Sequence, residues 1–269
     1  CLEILGTETR TPKMIKPTCE DTVVVAARDL HHGYFSFTLA PYSRATECHP
    51  GSFVHLQLTS TDVFLRRAMS VASVNPRKHE LEIIFKVYGR GTSTLAHFKP
   101  GSKVNLLGPL GVGFSAPRPE YHPVLVAGGV GFPPLMFLAQ KMIENGFDPK
   151  HIHFFYGGRT EHDLVERVRI KKLGIKFYPV TEDGSAGAKG LVTQAVEKYV
   201  AENHGKMRLR LYGCGPEKML KAVDDLGMKY GVAGQVSLEA PMPCGVGICL
   251  GCVVNLRAGG HARVCTEGP

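Results

Sequence analysis

The sequence predicts an α+β multidomain chain: an antiparallel β-barrel, an α/β unit built on a parallel sheet, and a small cysteine-rich C-terminal segment. Three observations predict it. Residues from about 21 to 107 break into short β-prone runs, strand-like and helix-like runs alternate from Val124 onward, and four of the eight cysteines crowd the end of the chain. A length of 269 residues fits about two domains at roughly 150 residues each. The expected boundaries are residues 1–116, 117–238 and 239–269.

In the first unit Val23–Arg28, Tyr34–Leu39, Ser52–Leu58, Glu80–Tyr88 and Lys103–Leu107 read as strands; apolar and polar side chains alternate along Tyr34–Leu39. Short strands at near-regular spacing, with one short helix at Thr92–Lys99, argue for an antiparallel barrel. Ser115–Pro123 carries three prolines and reads as a linker. Beyond it, Val124–Ala127 precedes helical Pro134–Asn145, and His151–Tyr156 precedes a polar helical stretch after Thr160. Lys176–Val180 then precedes Leu191–Asn203, Arg208–Tyr212 precedes Pro216–Tyr230, and Gln235–Leu238 supplies a fifth strand. Such alternation implies a parallel sheet covered on both faces, whose ligands bind at the carboxyl ends of its strands. The tail from about Ala240 to Pro269 is too small to make a core alone.

Composition narrows the function. Hydrophobic residues at 43% and charged residues at 21% exclude disorder, collagen and a coiled coil. The longest uncharged run, Pro123–Ala139, is interrupted by Gly128, Gly129, Gly131, Pro133 and Pro134, so no membrane span is expected. The net charge of +8 is spread along the chain without a basic helix or arm. Nucleic acid is therefore not expected as a partner; a basic surface that meets an anionic cofactor or an acidic protein is. The chain opens on Cys1 without a charged-then-apolar export segment, and Cys1, Cys19, Cys48 and Cys214 stand isolated. That usage fits a reducing, cytoplasmic setting.

The remaining cysteines carry the strongest local signal. Cys244-x4-Cys249-x2-Cys252-x12-Cys265 matches the ligand spacing of a plant-type [2Fe–2S] centre. Its glycines let the loop curl so that amide N–H groups point at sulfur. Zinc and paired disulfides are the alternatives. Zinc sites usually pair two short hooks, which Cys265 lacks, and disulfides conflict with the cytoplasmic reading.

Other motifs suit phosphates. Gly128-Gly129-Val130-Gly131-Phe132-Pro133-Pro134 follows an apolar strand and opens a helix, where amides and the helix dipole hold a pyrophosphate. Gly157-Gly158-Arg159 and Tyr212-Gly213-Cys214-Gly215-Pro216 mark two further strand ends of the same sheet. In the barrel half, the Arg66–Arg67 fork and the hydroxyls of Gly91-Thr92-Ser93 offer a second anion site. Each of those two stretches reads equally as a surface strand and a capped helix. His31-His32, His151-Ile152-His153 and Glu161-His162-Asp163 lack metal-protease spacing and read as surface histidines; Cys48 reads as packing or surface.

With these residues in place, the chain resembles the ferredoxin-reductase-like flavoproteins. Within them it is most similar to the iron–sulfur electron-transfer subunits of class B dihydroorotate dehydrogenases. The resemblance runs from about residue 20 to the end. It rests on Arg67-Ala68-Met69-Ser70, Gly108-Pro109-Leu110-Gly111 with Gly113-Phe114, Gly128-Gly129-Val130-Gly131, Glu182-Asp183-Gly184-Ser185, Gly213-Cys214-Gly215-Pro216 and Ser237-Leu238-Glu239 before the cysteines.

The resemblance implies an FAD-binding barrel over 1–116, an NAD(P)-binding α/β domain over 117–238 and a [2Fe–2S] segment over 239–269. It implies FAD contacts from Arg67, Ala68, Met69 and Ser70, with Arg67 on phosphate and Ser70 close to the flavin N5. Met69 replaces the family's usual aromatic residue. Phe85 and Val87 would line the flavin strand, and Gly91, Thr92 and Ser93 the pyrophosphate. Gly129, Gly131 and Gly213 would cradle the nicotinamide dinucleotide, and Cys214 would sit at its ring. Ser70 and Cys214 are thus the implied catalytic residues. Glu182 and Asp183 fall near the adenosine ribose, where an acidic residue favours a free 2′-OH, so NADH is expected over NADPH. Arg159 is the counterweight, able to pair with a phosphate.

The implied function is transfer of electrons between NADH and a catalytic flavoprotein subunit in a hetero-oligomer, that partner being FMN-containing and dihydroorotate-oxidising, in pyrimidine biosynthesis. Two other readings stay open at this stage: the reductase module of a hydrogenase or bifurcating NADPH:ferredoxin complex, and a ferredoxin-like adaptor without nicotinamide activity.

Overall fold

The computed structural model describes residues 16–58, 63–257 and 259–269; Cys1 lies outside them. These residues form two compact units. One comprises residues 16–113 with 240–255 and 261–269, and the other residues 114–239 with 256–260. Most of the cysteine-rich tail, residues 240–255 and 261–269, falls in the first unit, and residues 256–260 in the second. So short a segment can bury its side chains only against a neighbour.

In the first unit β1 (Thr18–Asp29), β2 (Tyr34–Ala40), β3 (Phe53–Gln57), β4 (Arg67–Asn75), β5 (Glu80–Lys86) and β6 (Lys103–Leu110) close into a barrel of order β1-β2-β5-β4-β3-β6. Every pairing is antiparallel. Alternate residues fill the interior: Phe37 and Leu39 of β2, Val54 and Leu56 of β3, Leu81 and Ile83 of β5, all fully buried. The Arg67–Asn75 motif resolves into the strand alternative, with Met69 opposite Val54 and Val71 opposite Ile83. The expected helix after Gly89 is α1 (Arg90–Ala96), starting two residues earlier than the sequence suggests. Thr92 sets that start: its Oγ1 accepts from Tyr88 N at 3.0 Å and Gly89 N at 3.2 Å and donates to Gly89 O at 3.1 Å.

The second unit alternates as expected: β7 (Tyr121–Gly128), α2 (Phe132–Glu144), β8 (His153–Gly158), α3 (Arg167–Lys171), β9 (Lys176–Thr181), β10 (Ala188–Lys189), α4 (Val192–Asn203), β11 (Arg208–Cys214), α5 (Glu217–Tyr230) and β12 (Gly234–Ser237). Its six-stranded sheet has the order β10-β9-β8-β7-β11-β12 with every pairing parallel. The apolar run in β7 is explained by burial on both faces. Val124 and Val126 join a core with Val192, Val196 and Val200 of α4 and Leu220, Val223 and Leu226 of α5. Leu125 and Ala127 are equally buried on the opposite face, where the ring of Phe132 at the start of α2 lies 5.2 Å from that of Tyr156 in β8. The polar helical stretch after Thr160 shrinks to a single turn at Glu161–Asp163 and the five residues of α3. In the tail, β13 (Val253–Asn255) pairs antiparallel with β14 (His261–Arg263), followed by α6 (Val264–Glu267).

One polar knot fastens the barrel. Glu82 is buried, and its Oε1 accepts from Ser36 Oγ at 2.6 Å and Arg28 Nη2 at 3.0 Å, while Oε2 accepts from Ser73 Oγ at 2.8 Å. It thereby ties β1, β2, β4 and β5 together. Glu82→Ala leaves the buried Ser36 hydroxyl without that acceptor and should cost about 2–4 kcal/mol, read as a lower urea midpoint with unchanged slope. Glu82→Gln should cost less. An alanine variant with the parental midpoint would show that the knot does not hold the strands.

Candidate functional site

In the tail the backbone is folded around sulfur. Gly245 and Gly247 have φ of +70° and +78°, which a side chain would strain, and they turn the chain so that amides face Cys244. Cys244 Sγ accepts from Val246 N at 3.5 Å and Cys249 N at 3.4 Å, and Cys249 Sγ accepts from Gly251 N at 3.5 Å. Burial works against ionisation of Cys244, but the surrounding N–H groups outweigh it and bring its thiol down to about 6. Cys252 and Cys265 lie Sγ to Sγ at 3.3 Å, too long for a disulfide; burial and that contact push Cys265 up to about 11. All seven described cysteines are free thiols, which leaves the disulfide alternative without support.

The four sulfurs make two pairs, Cys244 with Cys249 and Cys252 with Cys265. Two pairs match the division of four thiolates between the two irons of a binuclear centre. The loop is seated on the barrel: a Cβ at Gly245 would meet His55 Cε1 and Leu110 Cδ1, each at 2.9 Å.

On the barrel itself the two expected anion-binding stretches do meet. A Cβ at Gly91 would come within 2.7 Å of Arg67 Cδ, so the arginine of β4 and the start of α1 are adjacent. The Arg67 guanidinium is fixed by donating to Leu65 O, from Nε at 3.2 Å and Nη2 at 2.9 Å. Arg66, the other tine of the expected fork, is engaged elsewhere: Nη2 donates to Asn105 Oδ1 at 2.6 Å and Gln57 Oε1 at 3.0 Å. Ser70 is half-buried opposite Phe53, and Ala68 is exposed opposite His55. Met69 and Phe85 are buried; the Phe85 ring stacks on Phe35 at 5.7 Å and meets the edge of Phe37 at 5.3 Å, so it serves the core. Val87 is half-buried just beyond β5, and Thr92 caps α1 beside Ser93.

At the sheet, the register brings the marked strand ends to one edge. Gly128 is level with Gly157, Gly158 with Thr181, and Cys214 with Ala127 and Ser237. The glycines there are mostly packing devices. Side chains at Gly157 and Gly213 would meet Val192 and Val236 respectively. At Gly131 the approach is tightest, because a Cβ would lie 2.2 Å from Cys214 O, so the start of α2 closes directly on the end of β11. Gly129 precedes that contact. Cys214 is half-buried, and burial pushes its thiol up to about 12, which leaves a neutral S–H at physiological pH. Glu182 and Asp183 are exposed after β9, next to Arg159: Asp183 N donates to Arg159 O at 3.2 Å. The Ser185 hydroxyl and amide hold Asp183 below the usual carboxylate range.

One expected surface group, His153, is structural. His153 is buried between Tyr178 and Tyr199, whose hydroxyls contact Nδ1 at 3.1 Å and Nε2 at 3.0 Å. Cys48 is buried with its thiol pushed up to about 12 by burial. Two residues of consequence escape a reading of motifs: His55, a lone polar side chain in the apolar run of β3, and Arg257, which pairs with the nearly buried Asp224 at 2.6 Å and with Asp225 at 2.8 Å. Among the described residues no helix is long and apolar enough to cross a membrane.

Comparison with known families covers nearly the whole chain. Residues 25–114 match an oxidoreductase FAD-binding domain, 125–225 an oxidoreductase NAD-binding domain, and 239–269 the iron–sulfur cluster binding domain of dihydroorotate dehydrogenase B. A dihydroorotate dehydrogenase B (NAD(+)) electron transfer subunit of Desulforamulus reducens is 36% identical, covering 82% of this chain and 83% of its own. The subunit of the same description from Bacillus cereus is 33% identical over 93% of this chain and 95% of its own. The solved structure of an NADH-dependent reduced ferredoxin-NADP oxidoreductase, studied for flavin-based electron bifurcation, superposes with a TM-score of 0.81 at 28% identity, covering 92% of this chain and 86% of that one. With FAD-binding, NAD-binding and iron–sulfur domains in this order and relatives of such identity along most of its length, the chain belongs to the family of dihydroorotate dehydrogenase B electron transfer subunits.

Proposed function

We propose that the chain passes electrons between NADH and a catalytic partner subunit, by way of FAD on the barrel unit and a [2Fe–2S] cluster on Cys244, Cys249, Cys252 and Cys265. The observation that carries this reading is the tail loop, whose amide donors converge on thiol sulfur in two pairs seated on the barrel. When bound, the flavin exchanges a hydride with the nicotinamide and single electrons with the cluster.

The chain's own residues supply position and charge. Arg67, already aimed by its bonds to Leu65 O, meets the flavin phosphates beside Gly91, Thr92 and Ser93. Ser70 offers its hydroxyl to the flavin N5; Ala68, Met69, Phe85 and Val87 shape the strands beneath. The turn at Gly129 and Gly131 takes the dinucleotide pyrophosphate, with Gly213 giving β11 its close packing and Cys214 presenting a neutral thiol to the nicotinamide ring. Glu182 or Asp183 accepts from the ribose 2′-OH, with Arg159 at the same edge.

The relatives are named electron transfer subunits of a dihydroorotate dehydrogenase, which supports a dihydroorotate-oxidising partner subunit in a hetero-oligomer; that this partner carries FMN is part of the same reading. Ile248 and Leu250, 80% and 60% exposed on either side of Cys249, support a docked protein at the cluster, since such apolar exposure is otherwise costly. The free thiols support a cytoplasmic location and a place in pyrimidine synthesis follows from the partner. A second reading, the reductase module of a bifurcating NADPH:ferredoxin complex, is favoured by the similarity at a TM-score of 0.81; the identity of the co-purifying subunit separates the two.

Three measurements test this function. Anaerobic stopped-flow mixing should show NADH bleaching the flavin faster than NADPH at equal concentration; the reverse order overturns the assignment of Glu182 and Asp183. Arg67→Ala should weaken FAD by about 1.5–3 kcal/mol, on the order of tenfold or more in Kd, and parental affinity would remove Arg67 from the site. In the iron-free chain at pH 7, iodoacetamide followed by peptide mass spectrometry should label Cys244 ahead of Cys214 and Cys265. A thiol at about 6 is largely thiolate there, while those at about 12 and 11 are not, and the advantage should fade as pH falls through 6. Labelling of Cys214 first would contradict the sulfur-directed loop.

A further inference from the structure

The cysteine loop lies against buried polar groups that have no hydrogen-bond partner among the described residues. His55 is fully buried, and neither Nδ1 nor Nε2 has a hydrogen-bond partner among the described residues. Its ring is turned to the loop: a Cβ at Gly245, the residue after Cys244, would lie 2.9 Å from His55 Cε1 and 3.1 Å from Nε2. Leu110 lies against Gly245 and the Phe53 ring is 5.5 Å from that of His55. On the far side of Val246, Thr266 Oγ1 is also buried without a partner, 3.3 Å from where a Cβ of Gly247 would stand. Buried donors left unpaired cost free energy, and two such groups flanking one loop mark a place that the loop's occupant completes. Burial, then the nearby Arg66 and Arg67 charges, pull the imidazole down to about 4, so the ring is neutral with a single N–H to give.

We propose that His55 is a positioning residue of the iron–sulfur centre: its imidazole N–H donates into the Cys244–Cys249 loop when that loop closes on iron, and thereby raises the reduction potential of the cluster. The physical reason is the sign of the dipole. A donor directed at the centre favours the state that carries the extra electron, as hydrogen bonds to cluster sulfurs do. The inference rests on the cluster assignment above.

The test uses the full chain with FAD and cluster in place. His55→Leu removes the donor at similar bulk, and His55→Gln restores one. Iron and FAD content are measured first, then the midpoint of the cluster by dye-mediated titration followed by reduced-state EPR. The expected result is parental FAD content, a midpoint lowered in His55→Leu by about tenfold in the reduction equilibrium (59 mV for a one-electron couple), and a midpoint near the parental value in His55→Gln. An unshifted midpoint in a fully loaded His55→Leu chain overturns the proposal, as does an equal shift in both variants, which would mark His55 as filler. Where His55→Leu fails to take up iron, His55→Gln decides: parental loading and midpoint support the donor role, and failure of both overturns it. Absence of iron from the parental chain would instead sink the cluster assignment.

Discussion

Backbone N–H groups of the tail are aimed at sulfur instead of at carbonyl oxygen, and the rest of the segment follows from that constraint. The amides of Val246 and Cys249 can converge on one sulfur only if the chain reverses sharply, which demands left-handed backbone at Gly245 and Gly247. A loop so curled buries little of itself, so it borrows the barrel: Gly245 packs on His55 and Leu110, and Val112 N donates to Gly268 O at 3.2 Å. The second pair is reached through β14 and α6, with Val264 N donating to Cys252 O at 3.1 Å. The thiols thus have two electrostatic settings. Cys244 is ringed by donors and ionises easily, whereas Cys265 is buried beside another sulfur and does not.

The same economy of space governs the sheet. Glycines at strand ends are readily taken for phosphate cradles, yet here most of them let helices close on the sheet. Gly157 admits Val192, and Gly213 admits Val236 and Leu220. Close packing of this kind is itself what makes a dinucleotide site. It brings the start of α2 within a backbone contact of the end of β11, so the turn at Gly131 and the thiol of Cys214 share one edge. A carboxylate held in its charged form at Asp183 stands at the same edge two strands away.

Much of this was legible in the residues. The strand runs Tyr34–Leu39 and Lys176–Val180 lie inside the observed strands because each carries its own alternation or its own flanking turns. The cysteine spacing was legible because ligand spacing is local. What depends on partners distant in sequence was not. Arg66 and Arg67 are neighbours of identical type, but Asn105, on a strand 39 positions away, is bonded by Arg66 alone. Phe85 reads as an aromatic of the flavin strand, and only the fold shows that Phe35 and Phe37 are its ring neighbours. His55 looks like an imperfection in an apolar strand, and only the return of the chain at residue 245 gives it a context. The polar stretch after Thr160 reads as a helix by composition, but its first turn is bound by Asp163 accepting from Arg159 N and by Tyr156 donating to the carbonyl of Asp163.

The excess of positive charge belongs to the same argument. At +8 the apoprotein repels itself, an unusual burden for a chain with no basic arm or helix to offer nucleic acid. The ligands of this fold are all anionic: two dinucleotides, each with a pyrophosphate, and a centre ligated by four thiolates. In the sites proposed above, Arg67 would supply its charge at the barrel and Arg159 at the sheet edge, while Arg263, at the start of the helix that carries Cys265, is already paired with Glu267 through Nε at 3.0 Å. The loaded protein is therefore closer to neutrality than its sequence, and cofactor binding relieves repulsion that the empty chain carries. On the sites proposed above, that gives a physical reason for the charge to lie at them, and for its being scattered along the sequence: those sites would be assembled from strand ends and loops that meet only in the fold.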